Sequence, residues 1–262
     1  MKIASVNGIS VHYADEGPRN APAIVFVNSL GTDFRIWDGV VAALDGRYRT
    51  IRYDKRGHGL SDAPPAPYRM SDHVGDLEAL LGLLGVGKAV FVGLSVGGMI
   101  VTQLASRHPQ KVSGLVLCDT AHKIGTDELW NERIAAVESR GVAAVRDVVM
   151  QRWFSPSFRQ NEKAALSVYA NMLSRQPVSG YSGTCAALRD TDNTELVKAL
   201  QCPVMLIVGS NDGSTPPDLV RSTHDLIPGS TFVVLDGPGH IPCVEAPEET
   251  ARLVRDFAQG IR

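Results

Sequence analysis

The sequence predicts an α/β fold with a mostly parallel sheet, helices on both faces and a helical cap. Short apolar, β-branched runs alternate with longer segments of helical periodicity, which is typical of strands joined by crossover helices. One long stretch, residues 123–196, has helix-like sequence and no convincing strand. The pentapeptide Gly93-Leu94-Ser95-Val96-Gly97 stands between a strand-like run and a helix-like run, which predicts a tight turn there.

The composition is that of an ordinary soluble globular protein. The 262 residues are 44% hydrophobic and 21% charged, and the formal net charge is -2. This balance predicts no nucleic-acid or membrane partner. The first residues run straight into a strand pattern instead of a signal-peptide core, so the predicted compartment is the cytoplasm. The four cysteines are scattered without metal-ligand spacing, which predicts reduced thiols and no metal.

The strands are predicted in chain order from their apolar runs. The sheet begins antiparallel, because the runs at 2–6 and 11–14 flank Asn7-Gly8, a strong signal for a two-residue hairpin turn. Six later runs predict the remaining strands, at residues 24–28, 50–53, 90–93, 114–118, 204–208 and 231–235. Apolar residues recur at helical spacing over 37–44 and 74–84, which predicts helices with core-facing sides.

The helix-like stretch interrupts this alternation between two predicted strands. Such an insertion predicts a cap over the carboxyl ends of the strands, where open α/β sheets bind their ligands. We therefore predict a core of residues 1–122 and 197–262 and a helical cap of residues 123–196.

Ser95 is the predicted nucleophile. A serine on a strand-to-helix turn has its hydroxyl held out toward a substrate carbonyl, with the amino end of a helix behind it. The bare G-x-S-x-G pattern is weak evidence in a chain with 25 glycines. The strand before it and the helix after it supply the context that makes the pattern informative.

A serine nucleophile needs a base and an orienting acid. His240 lies in a glycine-rich loop directly after the last predicted strand, so its imidazole is expected at the sheet edge that carries Ser95. Asp212 follows the 204–208 strand and precedes His240, which is the order expected after a serine elbow. Asp119 also follows a strand directly and stays open as the alternative acid.

Two backbone amides are predicted to stabilise the oxyanion of an acyl-transfer reaction. One is the N–H of Val96, the residue after the nucleophile, and the other comes from the loop that follows the 24–28 strand. Leu30 is the expected second donor. Each such donor lowers the activation free energy by on the order of 3 kcal/mol.

These motifs together resemble the α/β-hydrolase superfamily over essentially the whole chain. The resemblance is carried by residues 54–62 (Asp-Lys-Arg-Gly-His-Gly-Leu-Ser-Asp), residues 93–97, Asp212 and Gly239-His240. More narrowly, the chain resembles the 3-oxoadipate enol-lactonase family of the β-ketoadipate branch of aromatic catabolism, in residues 28–33, 53–59, 93–98 and 152–154. Asn28-Ser29 stands where many relatives carry His-Gly.

The resemblance implies a small-molecule substrate with a lactone carbonyl and a free carboxylate, opened without cofactor or metal. Arginine is the natural partner of that carboxylate, because its planar fork matches carboxylate geometry. The predicted cap offers Arg133, Arg140, Arg146, Arg152 and Arg159. Arg133 is the first candidate and Arg152 the second, with Trp130 and Trp153 as expected walls of the pocket. No oligomeric state is predicted.

Other functions remain open at this stage. The same scaffold serves carboxylesterases, perhydrolases and carbon-carbon hydrolases of ring-cleavage products, and also small-molecule receptors that turn over slowly. A dehalogenase or epoxide hydrolase is disfavoured, since those enzymes place aspartate where Ser95 stands. Steady-state turnover separates an enzyme from a slow receptor.

Overall fold

The computed structural model describes residues 1–261, in which eight strands form one sheet. The strands are β1 (Lys2–Val6), β2 (Ile9–Glu16), β3 (Ala23–Val27), β4 (Arg49–Tyr53), β5 (Ala89–Leu94), β6 (Val112–Cys118), β7 (Val204–Gly209) and β8 (Thr231–Leu235). Their spatial order is β1-β2-β4-β3-β5-β6-β7-β8. All eight predicted strands are therefore present.

The sheet is antiparallel only at its beginning. β2 pairs antiparallel with β1 and with β4, and every later neighbouring pair is parallel. Asn7 and Gly8 turn the first hairpin with φ angles of 49° and 79°, which is the left-handed conformation that a type I′ turn requires at both positions. The parallel strands β5 and β7 are buried along their whole length, as expected where helices cover both faces of a parallel sheet. The predicted fold class is confirmed.

Twelve α-helices are assigned within residues 1–261. They are α1 (Asp38–Ala43), α2 (Met70–Leu83), α3 (Val96–Arg107), α4 (Asp127–Arg140), α5 (Arg146–Trp153), α6 (Pro156–Asn161), α7 (Lys163–Ser174), α8 (Val178–Arg189), α9 (Thr194–Lys198), α10 (Pro217–His224), α11 (Pro242–Glu245) and α12 (Pro247–Gly260). Short 3₁₀ turns cover Phe34–Trp37, Pro109–Lys111 and Val142–Val145. No helix in this part of the chain is long and apolar enough to cross a membrane.

The six helices α4 to α9 form one continuous segment between β6 and β7, and the structure assigns no strand within residues 119–203. In this segment α4 packs on α8 and α5 packs on α7, while α8 also contacts α2 of the core. The backbone of the helical segment approaches the core closely at Gly180 and Gly57, since a Cβ added to Gly180 would lie 2.0 Å from the carbonyl oxygen of Gly57. The expected boundary at residue 196 falls inside α9, so the helical segment continues to Lys198.

Candidate active site

Ser95 occupies a strained turn between β5 and α3. Its φ and ψ angles are 57° and -119°, a conformation that non-glycine residues rarely adopt and that costs on the order of 1–3 kcal/mol. The turn is tight because glycines flank it. A Cβ on Gly97 would lie 2.1 Å from the carbonyl oxygen of Val27, and one on Gly93 would lie 2.5 Å from the carbonyl oxygen of Gly97. The G-x-S-x-G pattern thus reflects backbone packing that places Ser95 at the carboxyl end of the sheet.

His240 is held by Asp212. The Nδ1 atom of His240 lies 2.9 Å from the Oδ2 atom of Asp212, and both side chains are buried. Asp212 also begins a turn in which its Oδ1 accepts hydrogen bonds from the amides of Ser214 (2.7 Å) and Thr215 (3.0 Å). The hydroxyl of Thr215 donates to Oδ2 at 2.6 Å. These contacts fix the orientation of the carboxylate toward the imidazole.

The electrostatics of Asp212 suit an orienting acid. Burial by itself would raise its pKa, but His240 and the hydrogen bonds from Thr215 hold the pKa of Asp212 below its ordinary value. The carboxylate is therefore ionised at neutral pH, and it stabilises the tautomer of His240 that carries a proton on Nδ1. The other ring nitrogen, Nε2, is then free to accept a proton.

Asp119 lies next to this pair but does not bond to His240 within residues 1–261. It has a φ angle of 44°, and its Oδ1 accepts a hydrogen bond from the amide of Gly209 at 2.9 Å. Its Oδ2 is buried and has no hydrogen-bond partner among the described residues. Burial and the neighbouring Asp212 raise the pKa of Asp119 well above its ordinary value. Of the two candidate acids, Asp212 has the contact that the reaction needs.

Asp119, Asp212 and His240 also form the group in residues 1–261 whose potential metal-ligand atoms lie within 4.8 Å of one another. The acceptor sites of Asp212 are already used. Asp212 accepts four hydrogen bonds, from Ser214, from the amide and hydroxyl of Thr215, and from His240, which fills the lone-pair sites of its two oxygens. The arrangement therefore suits an acid–imidazole pair better than a metal site.

Ser95 and His240 line one cavity between core and cap. Within the described chain no hydrogen bond joins the Ser95 hydroxyl to the imidazole; such contacts are often long in unliganded enzymes and tighten in the complex. Leu30 lines the same cavity. Among residues 1–261 neither the amide of Leu30 nor that of Val96 donates a hydrogen bond to another protein group, so both N–H groups are free to bind an oxyanion.

The cap supplies the opposite wall of this cavity, and all four cap residues predicted from the sequence lie on it. They are Trp130, Arg133, Arg152 and Trp153. The indole N–H of Trp130 donates to the carbonyl of Ile124 at 2.6 Å, which leaves its ring as an apolar surface. The remaining lining residues are Ser29, Ile124, Gly125, Leu129, Val149, Tyr181, Leu188 and Ser214.

The two arginines of the cavity have no acidic partner. Arg133 donates to the hydroxyl of Tyr181 at 3.1 Å, and in residues 1–261 neither Arg133 nor Arg152 forms an ion pair with a carboxylate. The other cap arginines do not line this cavity. Arg146 pairs with Asp147 at 2.8 Å, Arg159 donates to the carbonyl of Phe154 at 3.1 Å, and Arg140 is exposed. Among residues 1–261, two arginines without a carboxylate partner therefore line the same cavity as Ser95.

Backbone hydrogen bonds join the cap directly to the loops that carry Asp212 and His240. The amide of Gly213 donates to the carbonyl of Arg152 at 3.2 Å, and the amide of His240 donates to the carbonyl of Trp153 at 2.7 Å. Glu245 adds a second link, because its carboxylate accepts from the amide of Gly239 (2.8 Å) and from the hydroxyl of Ser155 (2.5 Å). The segment that carries Arg152 and Trp153 is thus fixed relative to the loops of Asp212 and His240.

Sequence analysis missed Tyr181, Ser214 and Thr215 as members of the site. A signal existed for Thr215, since an aspartate at the start of Asp-Gly-Ser-Thr after a strand is typical of a turn in which the carboxylate caps later amides. Tyr181 had no local signal. Its hydroxyl reaches Arg133 across 48 positions of sequence, through the packing of α8 on α4.

Comparison with known proteins agrees with this architecture. A family model described as the alpha/beta hydrolase fold matches residues 22–247. The 3-oxoadipate enol-lactonase 1 of Acinetobacter baylyi is 33% identical, with the alignment covering 100% of this chain and 98% of that protein. The 3-oxoadipate enol-lactonase 2 of the same organism is 32% identical and covers 92% and 90%. The crystal structure of the enol-lactonase from Burkholderia xenovorans has a TM-score of 0.95 and 35% identity, covering 98% of this chain and 100% of that one.

Proposed function

Because this chain belongs to the alpha/beta hydrolase family, we propose that it is a serine hydrolase that opens 3-oxoadipate enol-lactone to give 3-oxoadipate. Enol-lactonases at about a third identity over nearly full length support this substrate. The observation that carries the proposal is the pair Arg133 and Arg152, which face the Ser95 cavity without a carboxylate partner in residues 1–261. A substrate carboxylate would complete both.

Ser95 is the proposed nucleophile, with His240 as general base and Asp212 as the orienting acid. The serine oxygen bonds to the lactone carbonyl carbon while its proton passes to Nε2 of His240. The carbonyl oxygen takes up negative charge and is stabilised by the amides of Leu30 and Val96. The Asp212 carboxylate, 2.9 Å from Nδ1, stabilises the imidazolium that forms.

Collapse of the tetrahedral intermediate breaks the ring bond between the carbonyl carbon and the enol oxygen. The leaving enolate is a stabilised anion, and with the proton from His240 it becomes a ketone after tautomerisation. The acyl group then remains on Ser95. Water, deprotonated by His240, attacks the acyl carbon and releases Ser95 and the second carboxylate of 3-oxoadipate.

The arginines would hold the substrate by its own carboxylate. A guanidinium forms two parallel hydrogen bonds to a carboxylate, which fixes direction as well as charge. The rings of Trp130 and Trp153 and the aliphatic side chains of Leu129 and Val149 bound the same space and would enclose the lactone ring. The same cavity thus contains side chains that suit an anion and a serine that suits an acyl carbon.

A carboxylesterase acting on neutral esters is the second candidate, favoured by the apolar wall of Ile124, Leu129, Val149 and Leu188. A thermophilic esterase from Thermogutta terrifontis, solved with malate bound, is 26% identical with a TM-score of 0.93. On this reading the two arginines would contribute little to substrate choice.

Turnover of 3-oxoadipate enol-lactone by the purified protein tests the proposal. We expect multiple turnovers per second with 3-oxoadipate as the product identified by mass spectrometry, at a rate within the ordinary range for enzymes. The Ser95→Ala protein, shown to be folded by circular dichroism, serves as the control and should be inactive. A wild-type protein that hydrolyses an aryl ester but leaves the enol-lactone untouched would favour the esterase. Binding of the lactone with only a few turnovers per hour would indicate a receptor.

A further inference from the structure

Lys55 is a fully buried lysine that the reaction described above does not use. It is the second residue after β4, and its side chain has no solvent exposure. Burying an amine costs free energy unless a partner compensates it. Within residues 1–261 no carboxylate lies at ion-pair distance from Lys55, and its Nζ atom donates instead to the carbonyl oxygen of Ser29. Burial lowers the pKa of Lys55 well below its ordinary value, while Asp54 and Asp33 oppose that shift.

The acceptor of this hydrogen bond belongs to the oxyanion loop. The carbonyl of Ser29 and the N–H of Leu30 are the two ends of one planar, conjugated peptide group. The same carbonyl also accepts a hydrogen bond from the hydroxyl of Thr32 at 2.9 Å. A carbonyl that accepts strong hydrogen bonds draws electron density from its amide nitrogen, so the N–H at the other end becomes a better donor. Lys55 therefore acts on Leu30 without touching the substrate.

We propose that Lys55 is a positioning residue, whose amino group orients and polarises the Ser29–Leu30 peptide so that the Leu30 N–H stabilises the oxyanion. The inference rests on the proposed function, because it needs Leu30 to be an oxyanion donor for Ser95. It adds to the reaction a residue that does not line the Ser95 cavity.

The test compares Lys55→Met with the wild-type enzyme. Methionine keeps the length and apolar character of the buried stem and removes the donor. We expect kcat to fall on the order of tenfold on both the enol-lactone and an uncharged aryl ester, less than the roughly 10²- to 10³-fold loss from deleting an oxyanion donor itself. KM should change by less than about twofold, since the interaction belongs to the transition state. The affinity for phenylboronic acid, which forms a tetrahedral adduct with serine, should fall in parallel with kcat.

A spectroscopic measurement separates this role from a purely structural one. In Lys55→Met the Leu30 N–H should become a weaker hydrogen-bond donor, so its amide proton resonance should move upfield. The Val96 amide should keep its wild-type resonance and serves as an internal control. Thermal stability should be equal or higher, since burying an amine is costly and the Ser29 carbonyl keeps its hydrogen bond from Thr32. A structural role would instead lower stability and shift both amides.

Thr32→Val provides a second variant that acts on the same carbonyl and keeps nearly the same shape. It should change kcat and the Leu30 resonance in the same direction by a smaller amount, and it decides the question alone if Lys55→Met does not fold. Wild-type kcat and a wild-type Leu30 resonance in the folded variants would overturn the role of Lys55. Failure of the proposed function gives a different result, namely no wild-type turnover or full activity in Ser95→Ala.

Discussion

The strand-end loops and the cap contribute to the same cavity in different ways. In the loops, Asp212 accepts four hydrogen bonds and His240 is bonded both through its ring and through its backbone amide, so these groups are held in one orientation. In the cap, the side chain of Arg133 forms one hydrogen bond, to Tyr181, and Arg152 has no ion pair in residues 1–261. The side chains in the loops are therefore held in place without a substrate, whereas the two cap arginines can still bind a carboxylate. We therefore expect changes in the loops to affect every substrate and changes in the cap to affect carboxylated ones.

The largest expected effect belongs to Ser95, the proposed nucleophile in the loops. Ser95→Ala should lower kcat by on the order of 10⁵ to 10⁶, because the serine, the histidine and the aspartate act as a unit. The loss should be the same on the enol-lactone and on an aryl ester, measured in steady-state assays of protein whose folding is verified by circular dichroism. Activity above a hundredth of the wild-type value in a homogeneous preparation would exclude Ser95 as the nucleophile.

The second effect separates the two acids at the strand ends. Asp212→Asn should lower kcat by on the order of 10⁴, because an amide favours the wrong tautomer of His240. Asp119→Asn is the matched control and should change kcat by less than about threefold, since within residues 1–261 Asp119 bonds to the amide of Gly209 and not to His240, and an amide is similar in shape to a carboxyl. A larger loss of kcat in Asp119→Asn than in Asp212→Asn would show that Asp119, and not Asp212, is the orienting acid.

A smaller and selective effect is expected in the cap. Arg133→Ala or Arg152→Ala should reduce kcat/KM for the enol-lactone by roughly 10- to 100-fold, the equivalent of about 1.5–3 kcal/mol for a hydrogen bond to a charged group. An uncharged aryl ester should lose almost nothing. Arg140→Ala is the control, because Arg140 is exposed and does not line the cavity. Equal losses on both substrates would mean that the substitutions damage the packing of the cap instead of carboxylate binding.

The smallest effect sharpens the comparison within the loops. Thr215→Val removes the hydroxyl that donates to Asp212 at 2.6 Å but leaves the 2.9 Å contact between Asp212 and His240. We expect kcat to fall about fivefold on both substrates, in line with the loss of roughly 1 kcal/mol for one hydrogen bond. A change confined to the carboxylated substrate would show that the loops and the cap are not separable in this way.

The strands and the strand-end loops are easier to predict from the sequence than the contacts of the cap. The strands and the nucleophile turn follow from local patterns, because apolar runs, Asn7-Gly8 and the glycines around Ser95 each act within a few residues of one another. His240 and Asp212 are predicted from their positions after strands, since parallel strands end at one edge of the sheet. These inferences need only the order of the elements.

Contacts made by tertiary packing have no such local signal. The bond from Lys55 to Ser29 joins residues 26 positions apart on neighbouring strand ends, and Arg133 meets Tyr181 only because α4 packs on α8. The end of the cap is a similar case, since the chain between residues 194 and 198 forms the short helix α9, which periodicity over so few residues does not predict. Which cap side chains face the cavity therefore depends on how the helices pack.

The most direct test of the account is the preference of the enzyme for a negatively charged lactone. The measurement is kcat/KM for 3-oxoadipate enol-lactone and for the methyl ester of the same lactone, with wild-type protein and with the double variant Arg133→Ala/Arg152→Ala. We predict that the wild type prefers the charged lactone by at least about tenfold and that this ratio falls to near one in the double variant, while kcat/KM for the methyl ester stays within about threefold. A wild-type ratio near one, or a ratio that the double variant leaves unchanged, would contradict the account.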